Sequence, residues 1–415
     1  MQPLADSATD VWAGAAGHLV PGMADRHRLL GLGAFEAGAE GAEVHLSSGR
    51  KVLDFGSYAV PLFGHRPEPV TGAVRDALDT MPVSTRLLAN PYAARLAARL
   101  AQTVDPGRLN RAWLGLNGSD AVEAALKLAL ARTGRSTVLA VEGGFHGKTL
   151  GALATTFDPE RRKAVQGFLG AVRHVPAEPD AVARAAAEEP FAALIVEPVQ
   201  GEGGGRAFPA ELLRRWSEDA HAAGAFVIAD EIQCGLRRCG AVSLSVEAGM
   251  RPDAVLFGKA LGGGVMPLSA ALTTDELFAP LVEDPYFHTA TFAGHPLSCA
   301  AGLAALDLLD ASAELFPAAG EALAGAVAAA RREHPRVLVE TRVQGLFGAL
   351  EFATEAQAGL ALLEASRRGL LLAQCLTAPR VLRMLPPVVT TAEQWEQAAS
   401  ALLAACRAVE RKTVR

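Results

Sequence analysis

The stretch Phe226-Val227-Ile228-Ala229-Asp230-Glu231-Ile232-Gln233 is an unbroken apolar run that ends abruptly in two acids. Residues 210–223 ahead of it read as a helix, and Ala254-Val255-Leu256-Phe257 beyond it is a second apolar run, closed by Gly258-Lys259. Strands with one wet face alternate apolar and polar residues. Strands that are apolar throughout are covered on both faces, as in a parallel sheet between helix layers. Working outward, residues 112–116, 136–141, Ala171–Val175, 192–196 and 268–273 read as further strands, with a helix over 120–131. The fold class is therefore α/β. A mostly parallel sheet flanked by helices forms a large domain over residues 61–310.

The two ends follow another pattern. Residues 42–46 and 52–55 flank the turn Ser47-Ser48-Gly49-Arg50 and predict a hairpin within an N-terminal arm, 1–60. Beyond residue 309 come long Ala-rich helices and strands near Phe347–Phe352 and Val381–Met384. Residues 311–415 and the arm together predict a smaller α+β domain.

Composition narrows the function. With 415 residues, 50% of them hydrophobic and 20% charged, the chain buries a large core, which excludes disorder as its main state. A net charge of −6 without a basic stripe argues against nucleic acid. Cys234, Cys239, Cys299, Cys375 and Cys406 form an odd set with no C-x-x-C pair, which predicts reduced thiols in a cytoplasmic protein. The histidines lack ligand spacing, so no metal is expected. Asp6, Asp10 and Asp25 stand where a signal peptide would be basic and then apolar, and none is expected. Residues 285–306 carry no Lys, Arg, Asp or Glu and are long enough to span a bilayer. They also hold His288, Thr289, Thr291, His295, Pro296 and Ser298, and read as a buried loop entering a core helix, with no membrane contact expected.

In open α/β sheets, ligands bind beyond the carboxyl ends of the strands. Those ends are Asn117-Gly118-Ser119-Asp120, Glu142-Gly143-Gly144-Phe145-His146-Gly147, Glu197-Pro198 before Gln200-Gly201-Glu202, Asp230-Glu231 before Gln233, and Gly258-Lys259. Gly118 and Ser119 open a helix, whose exposed N–H groups and dipole suit a phosphate. The spacing is not that of a P-loop, and no G-x-G-x-x-G follows a strand, so nucleotides are disfavoured. An ammonium on the dry strand before Lys259 is costly to keep charged, which suits Lys259 as an amine nucleophile. Lysine, carboxylate, phosphate cradle and the aromatic Phe145 match the needs of pyridoxal 5'-phosphate. The amine forms its imine, Asp230 keeps its ring nitrogen protonated, and Phe145 stacks on the ring.

These segments together resemble the class III (ornithine/GABA-type) aminotransferases of pyridoxal phosphate fold type I. The matching stretches are NGSDAVEAALKLALARTG (117–134), GGFHGKTLGAL (143–153), LIVEPVQGEGGG (194–205), VIADEIQCG (227–235), PDAVLFGKALGGGVMP (252–267), HTATFAGHPLSCAAG (288–302) and VLRMLPP (381–387). LLANP (87–91), VRHVP (172–176) and GGGVMPLSAAL (262–272) are similar to the putrescine (diamine) aminotransferase branch.

The resemblance implies residue roles. Lys259 holds the cofactor and shuttles a proton, and Asp230 pairs with the ring nitrogen. Gln233 bonds the ring hydroxyl oxygen, Phe145 and Ile232 cover the two ring faces, and His146 borders the pocket. Gly118 and Ser119 hold the phosphate, and Thr291 reaches the phosphate in the neighbouring subunit of a homodimer. Arg383 grips a substrate α-carboxylate in a two-point fork, and Glu202 pairs with that arginine when the carboxylate is absent.

The implied activity is ping-pong transfer of a terminal amino group, from a diamine or ω-amino compound, to a keto acid such as 2-oxoglutarate or pyruvate. Ornithine- or GABA-like amino acids and a larger, carrier-bound aldehyde are the neighbouring alternatives. Decarboxylation or intramolecular amino transfer stands further off, and a non-catalytic scaffold is the alternative of another class. Four departures bear on the substrate: Asn117 to Asp120 where the family has S-G-T/A-E, Arg237 where it favours glycine, His295 in place of asparagine, and a shortened 56–63 segment.

Overall fold

The computed structural model describes residues 8–413, so the first seven residues of the expected N-terminal arm, Asp6 among them, lie outside it. The described chain divides into two units. One runs from Glu68 to Phe316, and the other combines the chain up to Pro67 with the chain from Pro317.

The larger unit is built on seven strands: β1 (Arg111–Gly115), β2 (Thr137–Val141), β3 (Ala171–Val175), β4 (Ala193–Val196), β5 (Phe226–Asp230), β6 (Ala254–Phe257) and β7 (Ser269–Thr273). Their order across the sheet is β1-β7-β6-β5-β4-β2-β3. The pairs from β3 to β6 are parallel, and β7 runs antiparallel to both β6 and β1. The register sets Asp230 opposite Leu256, so β5 and β6 deliver Asp230 and Lys259 to one rim. Every residue of β2, β4, β5, β6 and β7 is buried, as expected for strands without polar alternation.

Helix Gly118–Thr133 packs on this sheet through Ala121, Val122, Ala124, Ala125 and Leu128, against Ile195, Ile228, Leu256 and Ala271. Alanines let the helix approach the strands closely, so larger residues such as Ile228 fill what remains. Truncating Ile228 to alanine would cost about 2–5 kcal/mol.

The sequence pattern placed the end of β1 at residue 116 and the helix start at 120. The strand instead ends at Gly115, because Asp120 Oδ2 takes the N–H groups of Leu116 and Asn117 at 2.9 and 3.1 Å. Asn117 in turn caps the N–H of Asp120, which closes a capping box and moves the helix start to Gly118. The helix stops at Gly134, whose φ of 68° is a left-handed conformation that suits glycine.

The smaller unit holds two sheets. The hairpin Glu43–Leu46 with Lys51–Asp54 pairs antiparallel and is flanked by Glu36–Glu40 and Leu370–Leu371. The second sheet is ordered Leu338–Gln344, Phe347–Phe352, Val381–Met384, Ala373–Gln374. Helices Ala8–His18 and Pro21–Leu30 occupy part of what the sequence reading left as an arm. In the larger unit, helix Pro296–Ala311 begins within the uncharged 285–306 stretch. Among the described residues, no helix is long and apolar enough to cross a membrane. All five cysteines are buried, and none of them forms a disulfide among the described residues.

Candidate active site

The loops that leave the carboxyl ends of the large sheet enclose a cavity of about 280 Å³. Helix Gly118–Thr133 contributes Asn117, Gly118 and Ser119 to its wall. The loop after β2 contributes Phe145, His146 and Gly147, and the loop after β4 contributes Glu197 and Glu202. Asp230, Ile232 and Gln233 enter from the end of β5, and Lys259 from the end of β6.

Each side chain is positioned by its backbone. Lys259 has a φ of 44°, a left-handed conformation rarely adopted by a residue with a Cβ, and opens a 3₁₀ turn straight after β6. Such strain persists where the surroundings over-determine the residue, and it clusters at functional positions. Asp230 is 3% exposed; its Oδ2 lies 2.7 Å from His146 Nδ1 and its Oδ1 accepts the N–H of Ile232 at 3.1 Å. A carboxylate only accepts, so Nδ1 is the donating nitrogen of His146. His146 is held in turn by Thr156, whose Oγ1 accepts its backbone N–H at 2.9 Å.

Glu197 ends the run Ala193–Val196 one residue past the strand. Its Oε1 accepts from Phe145 N–H at 2.8 Å and its Oε2 from Gly201 N–H at 3.1 Å. Burial pushes this carboxyl up to about 7; His146 pulls it down, the nearby Asp230 raises it further, and the two amides lower it. Glu231 points the other way. It is buried and accepts from Ser243 and Ser245 hydroxyls and from Leu244 and Ser245 amides, which marks it as a structural acid.

Close packing leaves little slack. A Cβ on Gly118 would come within 3.0 Å of Ile232, and one on Gly147, at φ 133°, would come within 2.1 Å of Ser119 Oγ. The donor set fits pyridoxal phosphate: an amine, a buried acid backed by histidine, a glutamine, and a helix N-terminus for an anion.

Of the residues singled out from sequence, Gly118, Ser119, Phe145, His146, Glu202, Asp230, Ile232, Gln233 and Lys259 come together around this cavity. Thr291 is exposed and outside its lining. Arg383 belongs to the smaller unit, where it is fully buried in Val381–Met384 with its guanidinium carbon 5.5 Å from the centre of the Tyr58 ring. The sequence reading gave Glu197 no role and missed the contact of His146 with Asp230. The signal for Glu197 was present, as an acid closing an otherwise apolar run.

The sheet order and this lysine–acid cavity define an enzyme of pyridoxal phosphate fold type I. Within that group the chain belongs to the class III aminotransferases: residues 31–406 match the family model described as aminotransferase class-III. This family depends on pyridoxal phosphate. The chain is similar to the crystal structure of ornithine aminotransferase from Toxoplasma gondii ME49, with 25% identity, 99% of this chain and 97% of that one covered, and a TM-score of 0.86. An amine transaminase from an uncultivated Pseudomonas species, in its pyridoxal phosphate-bound form, shares 26% identity over 91% of this chain and 95% of that one, at a TM-score of 0.82. An (S)-enantioselective ω-transaminase from Thermomicrobium roseum shares 25% identity over 97% and 99%, at 0.86.

Proposed function

We propose that this aminotransferase moves a terminal amino group from a diamine or ω-amino compound to a keto acid such as 2-oxoglutarate or pyruvate, in two alternating half-reactions. The observation that carries this reading is the meeting of Lys259 with a buried, histidine-backed Asp230 in one cavity. The likeness of segments 87–91, 172–176 and 262–272 to diamine aminotransferases supports the donor class.

Bound pyridoxal phosphate supplies an electron sink for the pair left behind when the amine-bearing carbon loses its proton. Gly118 and Ser119 hold the phosphate at the helix N-terminus, and Gln233 bonds the ring hydroxyl oxygen. Phe145 and Ile232 confine the two ring faces. Asp230, oriented by His146, keeps the proton on the ring nitrogen. Lys259 Nζ holds the cofactor in the resting enzyme and moves the proton at the substrate's amine-bearing carbon. Arg383 takes the carboxylate of the keto acid, and Glu202 pairs with Arg383 when a carboxylate-free amine is present. The enzyme acts in the cytoplasm as a homodimer, with Thr291 serving the partner's phosphate site.

Transfer of the amino group from an ornithine- or GABA-like amino acid is the second reading, supported by the likeness to the Toxoplasma gondii ornithine aminotransferase. A panel of diamines and ω-amino acids, followed spectroscopically in single turnover, tests the choice. Fast conversion with putrescine-length diamines and slow conversion with ornithine is the expected result. The reverse order would establish the second reading. Lys259→Ala should slow the proton transfer by about 10²–10⁴-fold.

A further inference from the structure

Two loops that frame the cavity meet on a single buried carboxyl. Glu197 is 5% exposed and lines the cavity, and its two oxygens are shared between two separate segments. Oε1 takes the N–H of Phe145, which leads into His146, and Oε2 takes the N–H of Gly201, which precedes Glu202. One side chain thus bridges the aromatic that covers the ring and the glutamate that answers Arg383 in the proposed function.

We propose that Glu197 is a positioning residue: its carboxylate clamps the Phe145 loop to the Gly201–Glu202 turn, and so sets the readiness of Glu202 to pair with Arg383 in the amine half-reaction. The proposal rests on the transaminase reading above. A carboxylate can accept one amide on each oxygen at the same time. A carboxylic acid does so poorly, because its hydroxyl is a donor and only a weak acceptor, which weakens one of the two amide hydrogen bonds. A glutamine in the same place does worse, with its NH₂ facing an N–H. His146 and Asp230 face Glu197 from the loop after β2 and the end of β5, the Cys234 thiol lies within its electrostatic reach, and Glu202 and Lys259 share the cavity. Protonation at about pH 7 makes the clamp responsive across the neutral range.

The test combines amide hydrogen exchange with the two half-reactions, using the wild-type holoenzyme, Glu197→Gln and Glu197→Asp. After correction for intrinsic exchange, protection at Phe145 or Gly201 in the wild type should fall about tenfold between pH 8 and pH 6. Glu197→Gln should show the low-protection value at both pH values and lose about tenfold in the amine half-reaction. Its keto-acid half-reaction, in which Arg383 holds the substrate carboxylate instead of Glu202, should change much less. Glu197→Asp, charged but shorter, should keep the pH dependence while binding the amides less tightly. Protection that is flat with pH in the wild type would overturn the proposal, as would equal loss of both half-reactions in Glu197→Gln. If Glu197→Gln fails to fold, the wild-type exchange profile decides alone. Absence of any amine half-reaction in the wild type would remove the transaminase reading, and exchange at the two amides would still decide whether the clamp exists.

Discussion

His146 Nδ1 stands 2.7 Å from Asp230 Oδ2, with both side chains buried at the floor of the cavity. The histidine arrives on the loop after β2 and the acid on the end of β5, so the sheet order itself brings them together. Removing the donor strands a buried carboxylate. His146→Ala should lower kcat/KM by about 10–100-fold and weaken pyridoxal phosphate binding, and His146→Asn, which keeps an N–H donor, should recover part of both. Steady-state kinetics and fluorescence titration of the apoenzyme check this; unchanged cofactor affinity in His146→Ala would contradict it.

Arg383 is fully buried, with the Tyr58 ring against its guanidinium. Arg383→Ala should slow the keto-acid half-reaction by about 30-fold or more, as loss of a buried partner to a carboxylate does. The amine half-reaction should change far less. Rapid-mixing measurements of each half separately provide the check, and equal losses would argue against alternation between Glu202 and a substrate carboxylate.

Arg237 occupies a position where glycine is the natural choice. Its φ is 63°, beside Leu236 at 53°, and its Nε is buried without a hydrogen-bond partner. Arg237→Gly relieves left-handed strain on a residue with a Cβ and should stabilise the fold by about 1 kcal/mol. In a thermal melt this corresponds to a rise of about 2 °C. A fall in the melting temperature would show that the guanidinium contributes more than the strain costs.

His174, on β3, supplies a pH dependence. Burial lowers it to about 4, with the Thr155 carbonyl opposing the shift and Arg162 and His146 adding to it. Between pH 6.5 and 4 the unfolded chain therefore binds more protons at this site than the folded one. Stability from this group is complete above pH 6.5 and drains away as the pH falls toward 4. His174→Gln should show a shallower decline of melting temperature over that window; parallel curves for the two proteins would exclude the assignment.

Strand positions were legible because they are written locally. Ala171–Val175, Ala254–Phe257, Phe347–Phe352 and Val381–Met384 stand where the sequence pattern puts them. The residues of the cavity were legible for a related reason, since polar groups that close apolar runs all fall on one rim. Contacts between distant segments were not. Nothing near His146 announces Asp230, because that pairing depends on which strands become neighbours. The left-handed backbone of Lys259 is imposed by packing around the turn, not by lysine's own preference. Helices Ala8–His18 and Pro21–Leu30 were hidden by Gly14, Gly17, Pro21 and Gly22, which locally signal breaks in a helix.

The five covered sulfur atoms give the molecule a built-in clock for breathing motions. Burial pushes the thiols of Cys234, Cys239, Cys299 and Cys406 upward, so alkylating reagents meet almost no thiolate while the chain stays closed. Cys234, Cys239 and Cys299 lie in the larger unit and Cys375 and Cys406 in the smaller, so the order in which they are tagged tells which unit loosens first.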